Sequence, residues 1–154
     1  MRLDLEAFGD VQFSREILRV GDNAGDMRPA FDKVDESVRR FGKRQFGSQG
    51  NAYSGGWAPL AASTVRYKAS RRLDPRILHA TLRLRRSFTL GSSPDHVYRS
   101  SADEMFTGSK VPYARYHQLG TQRMPRRRPF QLDEAARREI LKILQRHLVQ
   151  KGVI

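Results

Sequence analysis

SFTLGSSPDHVYRSSADEMFTGS, residues 87–109, decides the fold class, because here the texture of the chain changes from helical to strand-like. The pieces SFTL, HVYRS and EMFTG are short, alternating and supplied with Val, Tyr, Phe and Thr, while GSSPD and SAD lie between them as turns. The pattern predicts a small antiparallel meander. Just before it, Asp74-Pro75 has the residues of a helix start, with Asp as the cap and Pro at the first helical position. Ile77, Leu78 and Leu82 carry that helix to about Arg86, with a basic outer face. After it, Asp133 caps a last helix whose Ala136, Ile140, Ile143, Leu144 and Leu148 form one apolar stripe.

Further out, Met27, Phe31, Val34, Val38 and Phe41 recur at intervals of three or four. Asp26 stands as a cap and Pro29 in the first turn, so a long helix is expected to about Phe46. GSQGNAYSGG, residues 47–56, with four glycines and two serines, reads as a mobile loop and a candidate docking arm. Trp57 anchors the return from it as a core residue, and Ala61–Ser70 forms a short helix. At the N-terminus, Leu3, Leu5 and Ala7, a turn at Gly9-Asp10, then Val11 and Phe13 suggest a β-hairpin; residues 14–20 also fit a short helix capped by Ser14, and Gly21–Gly25 a loop. The expected fold is α+β: a small antiparallel sheet packed against a long helix in the N-terminal half and a C-terminal helix, with a long glycine-rich loop. Its 154 residues are the size of a single domain, taken as 1–154.

Composition narrows the function. No apolar run approaches the roughly 20 residues of a membrane span, and MRLDLEAFGD lacks the apolar stretch of a secretory signal, so a cytoplasmic protein without a membrane partner is expected. Without cysteine there is no disulfide, thiolate metal site or cysteine nucleophile. The net charge of +13 is uneven: residues 1–36 hold nine acids and five bases, residues 37–154 seven acids and twenty-four bases. Such asymmetry suits a polyanionic partner, or copies whose acidic part meets the basic part of the next.

Residues 110–130, KVPYARYHQLGTQRMPRRRPF, concentrate the basic character: Lys110, Arg115, Arg123, Arg126, Arg127 and Arg128, with three prolines and no acid. Arg126-Arg127-Arg128, bounded by Pro125 and Pro129, is a candidate contact for phosphate or an acidic partner, against the alternative of a solvated run. Arg83, Arg85 and Arg86, joined by Arg71, Arg72 and Arg76, make a second basic face with the same alternatives. Tyr113 to Thr121 suits a short helix ending at Gly120, its Tyr113 and Tyr116 being either core or subunit contact. Catalytic signatures are missing: His79, His96, His117 and His147 have no metal-ligand spacing, and no GxxxxGK[ST], GxGxxG or GxSxG occurs. The expectation is a protein that is not an enzyme and needs no cofactor.

GGWAPLAASTVRYKA at 55–69, ILHATLRLRRSFT at 77–89 and VPYARYHQLGTQRMPRRRPF at 111–130 resemble, in this order, the bacteriophage virion morphogenesis family, the tail-completion or neck proteins. The last block is the most specific, with Tyr113-Ala114, Tyr116-His117, Gly120-Thr121 and Arg128-Pro129-Phe130 at the family's spacing; Trp57 belongs to the first. One departure is Leu82, where many members have glycine, and it favours a continuous helix there. The resemblance implies a structural virion protein, assembled in the host cytoplasm, that joins head to tail as a ring of six or twelve copies around the DNA channel. Its partners would be itself, neighbouring neck, head-closure or tail proteins, and DNA in the channel. The alternative from another class is a sequence-nonspecific nucleic-acid-binding protein working through the basic helix and the Arg loop.

Overall fold

The computed structural model describes residues 25–151, so the hairpin or helix expected within residues 3–20 lies outside the described residues. The elements are α1 (Arg28–Gly47), α2 (Asn51–Ser54), α3 (Ala62–Ser70), α4 (Arg83–Thr89), β1 (His96–Ser100), β2 (Met105–Ser109), α5 (Ala114–Leu119) and α6 (Glu134–Gln150). The class is α+β, as the sequence implies. The chain divides into two compact units: the described residues to Val38 with Val97–Gly108 and those from Leu132 on, and Arg39–His96 with Ser109–Gln131.

In the first unit, Met27 just before α1 and Ala30, Phe31, Val34 and Val38 on it are buried at the expected spacing, and so are Ala136, Ile140, Leu144 and Leu148 of α6. Burial of such stripes, at about 1.5–3 kcal/mol per large side chain, is what drives two amphipathic helices together. Asp133 caps α6 as read, its Oδ1 accepting from Ala136 N at 2.8 Å. Two hydrogen bonds set the helices antiparallel: Ser37 Oγ to Glu139 Oε1 at 3.4 Å, and His147 Nε2 to the Asp26 carbonyl at 2.9 Å.

Among the described residues the sheet is the hairpin β1–β2. Ser101 N bonds Glu104 O and Lys110 N bonds Asp95 O, each at 2.8 Å, so Tyr98 stands opposite Thr107. Both hydroxyls donate to one face of α1, Tyr98 to Asp32 Oδ1 and Thr107 to Asp35 Oδ1, each at 2.6 Å. Burial, together with the Asp32 bond, pushes the Tyr98 phenol up to about 12.

The expected third strand, SFTL, is instead the last turn of α4. Its backbone pairs within the helix, Leu90 N bonding Arg86 O at 2.9 Å, and its small polar side chains bond back along it, Ser87 Oγ to Leu84 O at 2.8 Å and Thr89 Oγ1 to Arg85 O at 2.9 Å.

The second unit is built around Phe46, Trp57, Leu84 and Val111, with Ile77, Leu78, Phe88 and Ala114 packed on them. Rings order this core: Trp57 meets Phe46 edge-on at 5.3 Å between centroids, and Phe88 stacks between Phe46 and Phe130 at 6.3 Å from each. Gly42 lets α1 and α4 approach backbone to backbone, since a Cβ there would fall on the Phe88 carbonyl oxygen.

Two further expectations are corrected here. Residues 47–56 hold the one-turn α2 and are tied down rather than mobile. Buried Gln45 reaches in from α1, its Nε2 donating to Ser54 Oγ at 2.8 Å and its Oε1 accepting from Tyr53 N at 3.2 Å. Ser48 Oγ accepts from Ala52 N at 2.9 Å. The helix expected from Asp74 begins only at Arg83, because its backbone groups are taken elsewhere: the Lys68 ammonium draws the carbonyls of Asp74 and Arg76 at 2.9 and 2.6 Å, and Gln49 Oε1 takes Ile77 N at 3.0 Å.

Leu82, expected to continue that helix, stops it: its φ is 59°, the left-handed region. A leucine held there costs roughly 1–2 kcal/mol against glycine. Since both Leu82→Gly and Leu82→Ala lose the half-buried side chain, the glycine variant should be the more stable by about 1 kcal/mol, after its greater unfolded-state entropy is counted. Urea midpoints decide this, and an alanine variant equal to or better than glycine refutes strain at the position.

Candidate functional site

The block around residues 111–130 folds as a unit. Val111, Pro112 and Tyr113 lead into α5, which ends at Gly120 with φ 78°, as the sequence suggests. A Cβ at Gly120 would lie 3.1 Å from Arg126 N, so the glycine admits the returning chain as well as the turn. The return is fixed by Arg127 N to His117 O at 2.9 Å and by Gln118, whose amide pairs with both backbone groups of Phe130 at 2.8 and 3.3 Å. Pro129 is fully buried, and the Arg128 carbonyl accepts from Trp57 Nε1 and Gln45 Nε2 at 3.0 Å each. The motif residues Trp57, Gly120, Pro129 and Phe130 thus converge on one packed hub, to which Gln45 and Gln118 are additions that no periodicity announces.

The arginine run divides. Arg127 is buried, its Nε and Nη2 donating to the carbonyls of Ala58 and Pro59 at 2.7 Å each. Burial lowers its pKa, although a guanidinium keeps its charge at neutral pH. Arg127 therefore clamps the segment after Trp57 and leaves the set of exposed candidates. Arg123 and Arg126 are exposed, and Arg128 is half-buried with Nη1 donating to Gln131 at 2.9 Å.

On α4, Arg83 pairs with Asp95 at 2.7 Å on both oxygens, and this contact holds the Asp95 carboxyl below its ordinary range. Arg85 is half-buried and Arg86 exposed. Arg76 is held by Asp74, whereas Arg71 lies over the Tyr67 ring at 5.8 Å.

Tyr113 and Tyr116 are not core. They are 37% and 43% exposed, and with Leu119 at 58% they mark one apolar edge of α5. Arg115 lies over Tyr116, 4.7 Å from the ring centroid, and donates to its hydroxyl at 2.6 Å. Aromatic and arginine side chains held together on a surface are the composition of interface hot spots. Ala114 turns inward to the Phe46 cluster, and Thr121 closes the turn with Met124 through a backbone bridge.

His79 and His117 sit in this unit in unlike surroundings. His79 is buried beside Phe46 and donates Nδ1–H to Ile77 O at 2.8 Å; His117 stands edge-on to Tyr113. Burial pushes both imidazoles below the usual 6.5, for His117 with help from Arg127. Unfolded, they take protons near that value; folded, they stay neutral to lower pH. The unfolded chain then binds more protons, so stability is full above about pH 6.5 and falls below it. The loss is at most about 1.4 kcal/mol per pH unit for each histidine, until the folded value is passed. Urea midpoints should drop between pH 7.5 and 5, less steeply in His117→Gln; equal slopes dismiss the role of His117.

Among the described residues no group of three or more His, Asp or Glu could hold a metal, and no helix is long and apolar enough to cross a membrane. No curated protein and no solved structure matches the chain. The sequence model of the phage virion morphogenesis family, however, matches residues 10–149, and the chain belongs to that family.

Proposed function

We infer that this protein, whose family places it in phage virion assembly, is a virion component of the neck or tail-completion type. It joins head and tail as a homo-oligomeric ring, of six or twelve copies, around the DNA channel. The observation that carries this reading is the exposed edge of α5 and the loop after it, where Tyr113, Tyr116 and Leu119 lie on a segment that also exposes Arg115, Arg123 and Arg126. An apolar edge of this kind among cations is poor surface for a solitary protein and good surface for a copy of itself or a neighbouring head-closure or tail protein. The basic charge, +13 overall, suits a wall past which DNA moves.

Electron microscopy of particles made without the protein should show unjoined heads and tails, and normal virions would end the proposal. Nonspecific nucleic-acid binding is favoured by one observation, the exposure of Arg86, Arg71 and Arg72, which bond no carboxylate among the described residues. It requires DNA affinity in the isolated protein that falls steeply with salt. A channel wall has no need of such affinity.

A further inference from the structure

The second unit contains a cleft of about 510 Å³ whose chemistry is divided. One part of its lining is apolar, Leu60, Ala61, Leu78 and Leu84 with Met124 and Pro125. The other is cationic or donating: Lys68, Arg123, Arg127 and His117, with no carboxylate among the lining residues. These donors have capacity left. The Lys68 ammonium uses two of its three N–H groups on the Asp74 and Arg76 carbonyls. Arg127 uses Nε and Nη2 on Ala58 and Pro59, and Nδ1 of His117 is buried without a hydrogen-bond partner.

A purely apolar occupant would strand these donors, and a simple anion would gain nothing from the leucines. What satisfies both is an extended peptide in which aliphatic and carboxylate side chains alternate, since successive side chains of a strand point to opposite sides. The volume lies in the range of roughly 300–1,000 Å³ over which proteins enclose a ligand.

The chain itself carries such a peptide. Leu3, Leu5 and Ala7 alternate with Asp4 and Glu6, within the 36 residues that hold nine of the sixteen acids. The chain from Phe8 to Gly25 can extend to about 55 Å, more than the roughly 40 Å across a compact domain of this length. We propose that the cleft receives the segment Leu3–Phe8 of a second copy, with the aliphatic side chains on the leucine wall and Asp4 and Glu6 against Lys68, Arg123 and Arg127. The inference rests on the copies meeting one another, as the ring reading requires.

A benzophenone amino acid placed at Met124, and separately at Tyr113, tests it in the purified full chain, mixed from nitrogen-15 and natural-abundance protein. After irradiation, mass spectrometry should find heavy-to-light cross-links from the cleft to the tryptic peptide of residues 3–15. Links within one isotopic form only, to another segment, or none at all overturn the proposal. Sedimentation gives an independent reading: Asp4→Lys with Glu6→Lys should weaken self-association tenfold or more, as should Arg123→Glu, and combining them should recover most of it. Unchanged association in the single-sided variants also overturns it. Multimers whose cross-links map elsewhere remove the cleft and leave the ring, whereas a chain that never self-associates removes both.

Discussion

Trp57→Ala is expected to lower the unfolding free energy by about 3–5 kcal/mol, the largest effect of any single truncation considered. The indole is 7% exposed and meets Phe46 edge-on, so its loss leaves a cavity beside the ring that centres the second unit. It also removes one of two donors that the described residues supply to the Arg128 carbonyl, leaving Gln45. Gly50, with φ 89°, is shaped around the same ring, since a Cβ there would fall on the indole. Trp57→Phe retains much of the volume and loses only the hydrogen bond and part of the packing, so its cost should be nearer 1–2 kcal/mol. Urea unfolding of both variants separates area from bonding: equal costs would mean that the bond to Arg128 carries the effect and the packing argument fails.

The second large effect lies one residue from a small one. Arg127→Ala should cost about 2–4 kcal/mol, because the Ala58 and Pro59 carbonyls lose donors inside the fold, partly offset by release from burying a charge. Arg127→Lys should not recover it, because a single ammonium cannot reproduce the two-pronged contact. Arg126→Ala, on an exposed side chain, should change stability by no more than about 0.5 kcal/mol. On the proposed reading its effect is expected in assembly, measured as the yield of joined particles in a phage carrying the variant. Similar losses of stability for the two variants contradict the division of the run into one clamp and one exposed cation.

The long helices were legible because their burial follows a single period. The stripes of α1 and α6 repeat every three or four residues, and a solvent-facing helix of 17 or 20 residues has one obvious way to bury them. Residues 74–82 were not legible, because Lys68 and Gln49 claim their backbone groups from other elements, and local propensity contains no trace of a tertiary acceptor. SFTL misled for a related reason, as small polar and β-branched residues fit a strand or a helix end equally well until their hydroxyls find partners. Within Arg126-Arg127-Arg128 the letters are identical, and only the path of the chain between two prolines turns one side chain inward. Trp57 reads as a core anchor from its sequence, but the burial of Pro129 beside the arginine run and the bonding of Gln45 and Gln118 do not, since an amide that satisfies backbone groups has no signature of spacing.

Gly42 gives the surface of α4 an unusual independence. Where two helices are separated by side chains, exchanging a core residue changes their spacing, and whatever stands on the far side moves with it. Here the spacing at Gly42 and Phe88 is set by main-chain atoms, which substitution elsewhere on the two helices does not alter, although any side chain at Gly42 itself would force them apart. Arg85 and Arg86 are thereby carried on a platform of fixed height. Exposed residues of α4 can be exchanged while the platform stays where it is, so any contact made there would be free to evolve faster than the scaffold that presents it.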